Sequence, residues 1–233
     1  LSGGTIASMI NVMKYVDLHP EKKNILNNSF SLNPIKKMYK YEQQPTLRSI
    51  RWDNTIKKWI CPFLMSGINT RIVRRTNAIA EFSYGDRFEY NEMSSFKNGL
   101  NGFLRAFIML ITLGILQFTI KSNFLLWILR KMVLPKQGEG PSDRKMKDGF
   151  FKMKIIGKID RVAKNSVTII GKTDPGYSAT AKMLTESAIS ILLNEDKIPK
   201  AYGVLTPASG IGLILIDRLQ DRGISFTIDE EMI

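Results

Sequence analysis

The sequence predicts a mixed α/β fold, with helices flanking a mixed or antiparallel sheet and a hydrophobic helical hairpin inserted part-way. Three observations predict it. Early in the chain, apolar residues recur at helical spacing: Ile6, Met9, Ile10, Met13 and Val16, then Ile68, Ile72, Ile79 and Phe82. Late in the chain they alternate with polar residues, at Phe151, Met153 and Ile155 and at Ile224, Phe226 and Ile228, with the β-branched run 167–170 between. Separating the two patterns, Lys97 to Lys136 contains no Asp or Glu and is mostly apolar.

Each element has its own signals. Ser2-Gly3-Gly4-Thr5 places a hydroxyl cap ahead of the first helical stripe. From Pro20 to Lys58 the chain is rich in Lys and Asn, carries Pro34 and Pro45 and keeps no period, which predicts an irregular surface segment. The second helix carries Arg71, Arg74 and Arg75 in or beside its polar face. Residues 1–96 form the first region. Residues 97–136 are the hairpin: Phe103 to Ile120 is broken only by Arg105, Thr112, Gln117 and Thr119, and Phe124 to Leu129 leads into Arg130-Lys131. The first run sits at the short edge of the roughly 20 residues that cross a bilayer, and the second is too short to cross. A re-entrant or interfacial helix pair fits better, with Phe103, Leu104, Phe107, Ile108, Leu110, Phe124 and Trp127 contacting lipid. The competing reading is a buried hairpin in a soluble core. Residues 137–202 follow the breaker Pro135–Ser142, with a β-hairpin, the turn Asp174-Pro175-Gly176-Tyr177 and a helix over 179–193. In 203–233, Thr206-Pro207 opens a last helix that Gly223 closes, and a strand follows. Ile211, Ile214, Leu215 and Leu219 stripe that helix, widened by Leu213 and Ile216, so it needs partners on more than one side.

Composition narrows the function. With 44% hydrophobic and 24% charged residues in 233, the chain is not globally disordered and fits one large or two small domains. A net charge of +13 suits nucleic acid, an anionic membrane or a basic pocket. The cations are spread along the chain with no DNA- or RNA-binding signature, so no nucleic-acid partner is expected. A single cysteine, Cys61, excludes an intrachain disulfide framework and reads as a structural thiol; His19, before Pro20, reads as a helix end or loop. One Cys and one His exclude the common zinc clusters, and no metal is expected. The opening Leu-Ser-Gly-Gly-Thr shows no signal-peptide pattern and reads as the middle of a domain.

Candidate binding residues are few. Free backbone N–H groups at Ser2, Gly3, Gly4 and Thr5 could hold an anionic or carbonyl group, or simply start a capped helix. Arg71, Arg74 and Arg75 could bind a phosphate or carboxylate, or form a solvated basic face. Tyr177 could reach a substrate as a donor, or pack. No residue is nominated as catalytic. Gly138-Glu139-Gly140 follows a proline and no strand, and Gly210-Ile211-Gly212 lies in the last helix, so neither is a dinucleotide fingerprint.

Four segments in order carry a resemblance. Ser2 to Ser8 is similar to the Ser-Gly-Gly-Thr helix start of saccharopine-dehydrogenase-like proteins. Asn69 to Ala78 resembles their Asn-Thr-Arg-Ile-Val-Arg-Arg-Ser-Asn-Ala segment, with Tyr84-Gly85 and Phe88-Glu89-Tyr90 following. Pro135 to Ser142 resembles their Pro-Lys-Pro-Gly-Glu-Gly-Pro-Ser loop, with Gln137 departing, and Leu205 to Ala208 resembles their Leu-Thr-Pro-Ala-Ala signature, with Ser209 departing. The resemblance is closest to the trans-acting enoyl reductase type. It implies the second, mixed α/β domain of such an oxidoreductase, without its N-terminal Rossmann domain. It further implies NAD(P)H as cofactor for the full-length protein, none bound by this portion alone, and an unsaturated acyl or lipid substrate. The implied location is membrane-associated: a lipid droplet, a mitochondrial or other internal membrane, or the inner membrane of a bacterium. The implied partners are lipid and either the upstream Rossmann domain or another subunit. The alternative is a non-catalytic, membrane-associated structural or assembly subunit of the same ancestry.

Overall fold

In a computed structural model, residues 3–34, 44, 46–85, 87–122, 124–127 and 140–229 are described. The class is mixed α/β, with helices and two small antiparallel sheets. The chain divides into two compact units, Gly3–Gly138 and Glu139–Ile233, the latter grouped with Leu1–Ser2.

The first unit opens with α1 (Gly3–Leu18), on which Ile10 is buried and Met13 and Val16 are half-buried. His19 ends it, its amide bonded to Tyr15 and Val16 carbonyls and its ring 4.4 Å from that of Tyr15. A 3-10 turn (Pro20–Lys22) and the short α2 (Lys23–Asn27) follow. The segment expected to be irregular also holds a strand. β1 (Arg51–Asp53) pairs antiparallel with β2 (Lys58–Pro62), and β2 pairs with β3 (Met93–Phe96). These strands escape periodicity because they span only three to five residues. Asp53 sets the β1–β2 turn by accepting from the Thr55 and Ile56 amides at 2.9 and 3.1 Å. Cys61 sits fully buried in the centre strand, where burial pushes its thiol pKa up, as befits a packed rather than a reactive sulfur.

Between β2 and β3 lies α3 (Ser66–Ile79), and after β3 comes α4 (Gly99–Lys121), packed on β2 and β3. Gly99 starts α4 at a φ of +77°. A Cβ on Gly102 would lie 1.7 Å from the Lys97 carbonyl oxygen, so glycine is what lets the helix leave the sheet so tightly. The expected hairpin is thus represented by one long helix and a helical stretch at 124–127. Its remainder, and most of the Pro135–Ser142 loop, lie outside the described residues.

The second unit begins with α5 (Asp143–Asp148), capped by Ser142, and continues into the expected hairpin, β4 (Phe151–Ile159) and β5 (Val162–Gly171). Then come α6 (Ser178–Leu193), α7 (Pro207–Gly210), α8 (Ile214–Asp221) and β6 (Ile224–Asp229). β5 is the middle strand, with β4 on one side and β6 on the other, both antiparallel. Thr206 caps α7 as expected, and Ser209, where the chain departs from the signature it resembles, completes a reciprocal capping box with it. The single last helix expected over 207–222 is broken in two. Gly212 adopts a φ of +73°, and the break turns Ile211 into the interior while Leu213 is 79% exposed. Two glycines within three residues weaken a helix enough for tertiary packing to end it there.

Candidate functional site

The arginines of α3 are turned toward the protein's own backbone. Arg71 donates to the Leu26, Asn28 and Gly67 carbonyls, two of them where α2 ends and its carbonyls lack helical partners. Arg74 is buried and donates to the Ser29 and Tyr90 carbonyls, to Gln44 Oε1 at 3.0 Å and to Thr70 Oγ1, with its guanidinium 5.4 Å above the Phe30 ring. Burial and the nearby Arg71 charge lower its pKa from the ordinary arginine value. Arg75 donates to the Leu32 carbonyl. The three side chains therefore clamp residues 26–32 onto α3, and Arg74 also holds the strap at 88–92.

Around this clamp runs a polar cluster that sequence reasoning did not nominate. Gln44 accepts from Arg74 and from the Tyr90 amide, and donates to the Phe88 carbonyl at 2.7 Å. The Tyr90 hydroxyl donates to Glu92 Oε1 at 3.0 Å, and Asn69 Nδ2 donates to Glu92 Oε2 at 2.8 Å. Burial first, then the Glu92 charge, raises the Tyr90 pKa, so its proton is held and it acts as a donor rather than a ready acid. Asn77, fully buried, accepts from the Tyr84 amide and donates to the Gly85 carbonyl. The one available signal was the motif itself: Arg74 and Asn77 of its first half bind Tyr90 and Tyr84-Gly85 of its second, and Asn69 reaches Glu92 just beyond it.

The other candidates lie apart. Gly3, Gly4 and Thr5 form the first turn of α1, and Ser2 is outside the described residues. Tyr177 precedes α6 in the second unit, its amide bonded to Asp174 Oδ2 at 2.7 Å and its ring over Gly140. No group of three or more metal-binding side chains occurs among the described residues.

α4 presents a different kind of surface. Gly102 and Ala106 are buried and Phe103, Leu110, Leu113 and Leu116 half-buried along one stripe, while Leu104, Phe107, Ile108, Ile111, Ile115 and Phe118 are exposed. Over Gly99–Thr119 the helix is long and apolar enough to cross a membrane, and only 11% of its most apolar window is buried. Trp52, Trp59, Phe103 and Phe107 form an aromatic ladder from β1 to the helix, with centroids 5.3, 5.0 and 6.3 Å apart. Phe124 and Trp127 are exposed beyond its end.

The chain's similarity to known proteins runs through both units. A Mycobacterium tuberculosis protein (strain H37Rv) with the provisional name trans-acting enoyl reductase is 32% identical over 234 residues, which cover 96% of this chain and 55% of the relative. The relatives are trans-acting enoyl reductases by name. Those of Mycobacterium bovis (strain BCG Pasteur 1173P2) and Mycobacterium ulcerans (strain Agy99) are 30% identical over 231 residues and 27% over 234, again with 96% of this chain and 55% of the relative covered. The chain thus spans about half the length of these reductases. No protein-family model matches it, and no solved structure does.

Proposed function

We propose that this chain is the substrate-side portion of an enoyl reductase of saccharopine-dehydrogenase-like ancestry, acting with NAD(P)H on an unsaturated acyl or lipid substrate at a membrane. The observation that carries the reading is similarity, over 96% of the chain, to proteins named trans-acting enoyl reductase. The exposed apolar circumference of α4 supports the lipid side of it.

The nicotinamide is assigned to the length that the relatives have beyond this chain. Among the described residues, both sheets are antiparallel, and the one glycine pair opening a helix after a strand, Gly99 and Gly102, is closed to a phosphate by the Lys97 carbonyl. The described residues therefore do not fit the cofactor. Tyr202, Val204 and Leu213, which are 94%, 82% and 79% exposed, offer the second unit apolar surface for that remaining length or another subunit.

The test uses the protein that carries this chain, NADPH and a long-chain trans-2-enoyl thioester, followed by mass spectrometry of the acyl product. NADPH-dependent formation of the saturated thioester is expected. Conversion no faster than in buffer would sink the enzymatic reading and leave the non-catalytic membrane subunit in its place.

A further inference from the structure

We infer that α4 enters only one leaflet, and that the leaflet is anionic, with the Trp52–Trp59–Phe103 ladder at headgroup depth and Lys57, Lys58, Lys97 and Arg105 on lipid phosphates. This rests on the membrane reading above and adds depth and lipid class to it.

The first turns of α4 cannot enter hydrocarbon. Phe103 is set edge-on against Trp59, Ala106 is fully buried, and Gly102 abuts Lys97, so this end is fixed to the β1–β3 sheet. That sheet has two outer strands, and unpaired backbone groups in lipid each cost several kcal/mol. Its strands are three to five residues, about 10–17 Å long, whereas α4 has 23 residues and runs about 35 Å. The helix must outrun the sheet. What lies beyond Ala106, from Phe107 to Thr119, extends about 20 Å, against a hydrocarbon core of about 30 Å. It is uncharged, and Ile108, Ile115 and Phe118 are each more than 60% exposed. Such a length reaches past one leaflet's share only slightly and falls short of crossing.

Charge supplies the lipid class. Lys57 and Lys58 lie at the β1–β2 turn, and Lys97 follows Phe96, which pairs with Trp59. Arg105 is on α4 just before the buried Ala106. All four are exposed, and none is ion-paired among the described residues. The adjacent carboxylate, Asp53, is occupied by backbone amides. Tryptophans with cations at one end of an apolar helix are the arrangement that seats in a headgroup layer.

Flotation separates the claims. The chain should partition at least about tenfold better onto phosphatidylcholine vesicles containing phosphatidylglycerol than onto phosphatidylcholine alone, since each nearby cation adds roughly a fivefold preference. Joint replacement Lys57→Gln, Lys58→Gln, Lys97→Gln and Arg105→Gln should remove that preference. Equal flotation on both vesicles, or an unchanged preference in the quadruple variant, overturns the headgroup assignment and spares the membrane reading. No flotation on either overturns both. For depth, a Trp127→Phe variant leaves Trp52 and Trp59 as the only tryptophans, excited at the red edge where tyrosine does not absorb. Lipids brominated near the headgroup should quench them more than lipids brominated near the chain end, and the opposite order overturns the one-leaflet geometry.

Discussion

Arg74 reaches four acceptors with one planar group, and three of them are main-chain carbonyls or an amide oxygen from segments distant in sequence. An Arg74→Met change would take this donor from the Ser29 and Tyr90 carbonyls, while Gln44 keeps the Tyr90 amide, costing about 1–3 kcal/mol in urea unfolding. Arg74→Lys should recover only part, because an ammonium cannot fork between them. The sequence shows these arginines as a basic face and could not show otherwise, since carbonyl partners leave no mark on residue type. A second residue-scale case is Glu186, nearly buried on α6 and held at 2.7 Å by both Arg222 and Arg218. The Arg222 hydrogen bond, with help from Arg218, keeps its carboxyl below the ordinary value despite burial. A depressed carboxylate contributes in full above its unfolded value of about 4.3 and loses that contribution as pH falls through the lower folded value. Melting temperature should therefore fall on acidification below about pH 4.3, and Glu186→Gln should be less stable at neutral pH with a flatter acid limb. A variant with an unchanged acid limb would show that the pair does not couple to folding.

Elements differ in how far their sequence announces them. α6, β4, β5 and β6 fall close to where period and turn residues place them, because each is long enough to repeat its pattern. The β1–β3 sheet is invisible to that logic: Arg51–Asp53 contains one large apolar residue, and Pro62 ends β2 where a strand pattern would be expected to weaken. The apolar stripe of 207–222 was legible, while its break at Gly212 was not, since a left-handed glycine and a helical one read alike. The junction of β3 with α4 offers the sharpest element-scale test. Gly102→Ala would force the Lys97 carbonyl aside, so destabilisation of at least about 1–3 kcal/mol is expected, against a small gain if the site were an ordinary open helix position. Chemical denaturation followed by tryptophan fluorescence reads this directly, because Trp59 sits beside the junction.

Across the whole molecule, the sequence conveyed class, a likeness to trans-acting enoyl reductases and an apolar helix. Its charge of +13 is a sum over two units, and a sum cannot say which cations are occupied. Arg71, Arg74, Arg218 and Arg222 are engaged within the protein, whereas Lys57, Lys58 and Lys97 are not ion-paired among the described residues. Only the fold sorts them. The order of the second sheet also bears on how the chain is made. β4 and β5 are adjacent in sequence and can pair as soon as both leave the ribosome, but the other flank of β5 waits for β6, about fifty residues later. At roughly 5–20 residues per second, the nascent hairpin carries a bare edge for several seconds, with Val167 and Ile169 still lacking Ile228 and Phe226 opposite them. During that interval the edge is open to any neighbouring extended chain, so the unit's vulnerability during synthesis is a matter of timing rather than of final stability.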